Sequence, residues 1–133
     1  MNLALAPEIS VGKGESAEAY PRVSARLTHR LRVIEGACRL QWLLQVRKSL
    51  TRWETIAYCA TKAGLLLRIK EHLQPRGTKE ILPLQEIAKL CDPKAWAIVE
   101  ALADDIRDHI AIEDTVIRNA NPAVPKILNL PVL

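Results

Sequence analysis

The side chains best equipped for chemistry in this sequence are guanidinium groups. Between Arg22 and Arg52 the chain carries Arg22, Arg26, Arg30, Arg32, Arg39, Arg47, Lys48 and Arg52 against a single acid, Glu35. A guanidinium forms a bidentate, charge-assisted pair with phosphate or carboxylate oxygens, and Arg is chosen here over Lys, which would serve solvation equally well. Read on a helix, Arg22, Arg26 and Arg30 climb one side at four-residue spacing, with Lys48 in phase with Arg30. One-turn intervals suit a phosphate backbone contacted without base readout. The expected nucleic-acid contacts are therefore Arg22, Arg26, Arg30, Arg39, Arg47, Lys48 and Arg52, provided that no carboxylate of the same chain neutralises them. An acidic protein surface would suit the same side chains.

A second set is acidic. Glu100, Asp104 and Asp108 repeat at four-residue intervals, opposite an apolar stripe. Stacked like charges on a helix cost a few tenths of a kcal/mol per pair, so the row is expected to face cations of a protein neighbour or of another copy. Asp105, His109 and Glu113 share that spacing, yet two carboxylates and one imidazole on one helix lack a fourth ligand, and no metal or other cofactor is expected. No nucleophile elbow, phosphate loop or HExxH pattern occurs, so no catalytic residue and no small-molecule substrate is assigned. Residues 84–102 have the outline of a helix-turn-helix, a further alternative. Its second helix starts behind Asp92 and presents the acidic row, which a DNA groove would repel.

The elements needed to position these groups read as helices. Leu and Ala are abundant, there are five Gly in 133 residues, and no alternating strand pattern bounded by turn signals stands out. Val23, Leu27, Leu31, Ile34 and Cys38 recur at helical spacing behind Pro21, predicting one long helix over about 21–49. Thr51 with Glu54 reads as a capping box opening a second long helix, with Trp53, Ile56, Ala60, Ala63 and Leu67 on its inner face. Pro75 and Gly77 mark a loop, a short helix follows over about 83–90, and Asp92 with Pro93 caps a third long helix. The expected fold is all-α, a bundle of three long helices and one short helix over residues 21–120. An extended arm precedes it at 1–20. A proline-rich apolar tail follows at 121–133 and is expected to dock through Ile127, Leu128 and Leu130.

Charge is unevenly divided. Residues 1–20 hold one Lys and three Glu, residues 21–79 thirteen basic and three acidic side chains, and residues 80–133 five basic and nine acidic ones. A chain polarised in this way favours a polyanion, an acidic protein or pairing between its own halves. The three cysteines have no CxxC spacing and sit among apolar neighbours, as buried thiols of a cytoplasmic protein do. No apolar run reaches the length of a membrane span. The sequence thus points to a non-enzymatic basic helical subunit of a larger nucleoprotein assembly. The alternative is a protein adaptor whose Arg face docks an acidic partner.

Overall fold

A computed structural model describes residues 14–77 and 79–120, and it is not an all-α bundle. Among the described residues the first half of the chain is an antiparallel meander of four strands, β1 (Val23–Thr28), β2 (Leu31–Glu35), β3 (Trp42–Arg47) and β4 (Trp53–Cys59), paired in sequence order. Four helices follow: α1 (Lys62–His72), α2 (Leu84–Ala88), α3 (Pro93–Glu100) and α4 (Ile106–Ala120). The proposed long helices over 21–49 and from Thr51 are therefore strands. Only the distal part of the second, from Lys62, is helical.

The reason is burial from both sides. Every residue of β2 is buried, as are the first four of β3. Helices cover one face, where Leu27, Leu31, Val33, Trp42, Leu44 and Cys59 join Leu65, Ile69, Ile87, Trp96, Val99 and Ile106 in the main core. Residues 14–20 cover the other, with Ala17 bridging to Arg52 and Tyr20 packing on Ile34 and Leu43. A strand covered on both faces loses the alternation of apolar and polar residues: β2 buries Arg32 and Glu35 beside its aliphatic residues, β3 runs Trp42, Leu43 and Leu44 into the buried Gln45, and such a pattern is easily taken for helix. The turns add little warning. Thr28 Oγ1 accepts from the Arg30 amide to close the β1–β2 turn, and Arg39 takes the left-handed conformation, with φ of 58°, in the β2–β3 turn.

Some local signals do operate as the sequence suggests. Asp92 accepts from the Ala95 amide at the start of α3, with Pro93 behind it. Asp92→Ala is expected to cost about 1 kcal/mol in chemical denaturation, the ordinary worth of such a cap. The third long helix, however, is interrupted: residues 101–105 separate α3 from α4, so Glu100, Asp104 and Asp108 do not share one helical face. Thr51 and Glu54 form no capping box, since Glu54 lies on β4 and pairs with Lys48 at 3.1 Å. Among the described residues no helix is long and apolar enough to cross a membrane. The tail with Ile127, Leu128 and Leu130, and residues 1–13 of the arm, lie outside the described residues.

Candidate functional site

An antiparallel meander gathers alternate turns at opposite ends, and this divides the seven basic residues singled out from sequence. The β1–β2 and β3–β4 turns meet at one end. There the Arg47 amide donates to the Arg30 carbonyl at 2.9 Å and the Lys48 amide to the Arg52 carbonyl at 2.8 Å, placing Arg30, Arg47, Lys48 and Arg52 side by side. Arg22 and Arg39 go to the other end, at the β2–β3 turn. No single row of seven exists.

Five of the seven are paired with carboxylates of their own chain. Arg26 and Arg47 share Glu18 at 3.3 and 3.2 Å, Lys48 meets Glu54, and Arg22 and Arg39 meet Glu35 and Glu113. Arg30 and Arg52 are exposed and without a side-chain partner among the described residues. Leu50, between Lys48 and Arg52 at the tip of the β3–β4 turn, is 77% exposed. A shallow cavity of about 270 Å³ runs along this rim between His29, Arg30, Lys48 and Leu50.

Behind the rim, on the face covered by residues 14–20, lies an Arg cluster that serves the fold. Arg32 is wholly buried, and its guanidinium donates to Gln45 Oε1 at 2.8 Å and to the Ala17 and Glu15 carbonyls at 2.8 and 3.0 Å. Arg32 and Arg47 each lie 4.4 Å from the centre of the Trp53 ring, and Trp53 Nε1 donates to Glu18. That indole hydrogen bond, helped by the neighbouring Arg26 and Arg47, holds the Glu18 carboxyl below its ordinary range. Burial pulls the Arg32 guanidinium down to about 10, which leaves it charged at neutral pH. The aromatic ring is thus spent on cations of its own chain.

The opposite end carries a site that the sequence did not reveal. Glu35, at the end of β2, is 5% exposed, and its Oε2 lies 3.0 Å from His109 Nε2 on α4. Glu113, one turn further along α4, brings Oε2 to 3.7 Å from the same nitrogen. The remaining oxygens face guanidiniums: Arg22 reaches Glu35 Oε1 at 3.3 Å, and Arg39 reaches Glu113 Oε1 at 2.9 Å. Trp42 is fully buried with its ring centre 5.7 Å from that of His109. A cavity of about 280 Å³ opens beside these groups, lined also by Ser24, Ile98 and Leu102. His109 and Glu113 were visible as a helical pair, but with Asp105, which in the folded chain binds Arg107 instead at 3.1 Å. The available clue to the third member was Glu35 itself, the lone acid of the basic stretch.

The remaining sequence candidates are scattered. Asp104 is fully exposed beside Lys62, and Lys62 Nζ donates to the Glu100 carbonyl at 2.9 Å. In the stretch read as a helix-turn-helix, α2 is five residues long, and α3 lies against β1 through Ala95, Trp96 and Val99 while Lys94, Ala97, Ile98 and Glu100 stay exposed. The chain matches no family model, no curated protein and no solved structure.

Proposed function

We propose that the protein is a non-enzymatic α+β docking module whose hairpin rim, built from Arg30, Lys48 and Arg52 around Leu50, binds an acidic protein surface. The supporting observation is the pair of exposed guanidiniums on adjoining turns, without a side-chain partner among the described residues, with an apolar side chain at the tip between them. Charges of this kind steer and orient a partner of opposite sign, and a central apolar contact adds area that water must leave. The cations suit recognition of an anion, and His29 and Ser49 line the same shallow cavity as further polar contacts. A nucleic-acid backbone is less well served, because the expected row is split and the Trp53 ring has no free face for a base. The unpaired, buried thiols of Cys59 and Cys91 support a reducing, cytoplasmic setting.

Fluorescence anisotropy with a labelled polyglutamate peptide and with labelled single-stranded DNA tests this reading. The peptide should bind at low salt, and Arg30→Glu with Arg52→Glu should weaken it more than about tenfold without changing the thermal midpoint much. Failure of the wild-type protein to bind the peptide, or indifference to the double substitution, would overturn the proposal. Tighter binding of DNA of any sequence, with a log-log salt slope near about −2 for three cations, would favour the nucleic-acid backbone instead.

A further inference from the structure

At the end of the sheet away from the rim, we propose that Glu35, His109 and Glu113 form a binding site for a divalent first-row transition ion, with Zn²⁺ the best fit. One ligand atom from each residue, Glu35 Oε2, His109 Nε2 and Glu113 Oε2, lies within 4.8 Å of the other two. An ion bound at about 2.0–2.2 Å needs its tetrahedral ligands roughly 3.4 Å apart. The observed 3.0 and 3.7 Å bracket that value, and Glu113, on a helix surface and about a third exposed, has room to swing inward.

The surroundings prepare the ligands. Arg22 and Arg39 hold the Oε1 atoms, so that both carboxylates turn Oε2 toward the imidazole, the outer-shell arrangement that fixes ligand orientation in metal sites. Trp42 packs against the imidazole and limits its rotation. Arg39 reaches Glu113 from a left-handed backbone conformation that a non-glycine residue rarely takes, strain of the sort retained where a side chain must be placed. The cavity beside the three residues supplies a route for the ion and a position for a fourth ligand. Arg22 and Arg39 face three carboxylates, Glu35, Glu113 and Asp114, the last at 3.4 Å from Arg39, so part of an added dication's charge is already met, and an anionic fourth ligand, hydroxide or phosphate, or the half-exposed Arg22 turning out into water would meet the rest.

One imidazole with two carboxylates is a borderline-to-hard donor set. Thiophilic ions are disfavoured by the lack of sulfur, and Ca²⁺ and Mg²⁺ by the ring nitrogen. The simpler account of the same contacts is a closed polar network in which the His109 ring and the two guanidiniums alone satisfy the carboxylates. The two differ in what added metal does.

The test uses the full chain stripped with chelator, with Cys38→Ser removing the exposed thiol. Calorimetry should show one Zn²⁺ per chain and a higher thermal midpoint. His109→Ala and Glu113→Gln should each weaken binding more than about tenfold. Glu113→Gln is the safer variant, since its side chain is partly exposed and its volume is kept. Co²⁺ should give visible bands without a sulfur-to-metal charge-transfer band. Absence of stoichiometric Zn²⁺ binding, binding untouched by either substitution, or a sulfur charge-transfer band would each overturn the site. None of these results bears on the hairpin rim.

Discussion

Arg32→Ala is expected to destabilise the protein by about 3–5 kcal/mol, a large share of the stability of a domain this size. The buried guanidinium ties β2 to Gln45 of β3 and to three carbonyls of residues 14–20, and it stacks on Trp53. Truncation removes those bonds together and leaves the carbonyl-lined space without its donor. Arg26, directly opposite on β1, would remain beside Arg47 and Trp53 with less to hold it. Urea denaturation followed by tryptophan emission measures the loss, and limited proteolysis should show cleavage near residues 14–20 before the sheet unfolds. A cost below about 1 kcal/mol would mean that the segment is held by its other contacts, the Tyr20 packing, the Ser16 and Glu18 backbone bonds to Trp53 and Thr51, and the Gln45 bond to the Glu15 carbonyl. Arg32→Met separates charge from apolar packing: if desolvation of the charge is the larger effect, the unbranched apolar side chain, though smaller than Arg, should recover much of the loss.

The second large effect is expected at Trp42. Trp42→Ala should cost about 3–5 kcal/mol, because a fully buried indole in the main core leaves a cavity that the surrounding strands cannot close. Trp42→Phe should be far milder. The indole Nε1 is buried without a hydrogen-bond partner among the described residues, so removing it relieves a desolvated donor worth about 1–3 kcal/mol while giving up some volume. The alanine variant should also free the His109 ring. Hydrogen exchange over residues 106–115 should then rise more than exchange in α1, since α4 is held chiefly by Ile106, the Thr61–Asp105 bridge and the charge network at the β2–β3 turn. Equal exchange in both helices would show that α4 does not depend on Trp42.

The two groups of charged side chains have different physical standing. At the rim, the Lys48–Glu54 pair is more than half exposed on both sides, so it is screened and easily exchanged for an outside partner. At the β2–β3 turn Glu35 is withdrawn from water, and its partners define one arrangement. Exchangeable charges suit docking, and withdrawn ones suit a site with fixed ligands.

What the sequence by itself determined are features decided within a few residues: the Asp92–Pro93 helix start, the break at Pro75 and Gly77, the basic first half and the acidic second half. The fold class is decided beyond that range, for a reason equally physical. Leu31 and Ile34 fit a helical stripe by spacing, and the feature that makes them strand residues, cover on both faces of β2, comes from helices and a segment distant in sequence. Which arginines remain available was likewise a tertiary matter, since Glu18 reaches Arg47 and Glu113 reaches Arg39 only after the sheet has formed. The meeting of Glu35 with His109 is the furthest case. The two lie 74 residues apart, and spacing along the chain carries no trace of a pair made by one helix end crossing one strand end.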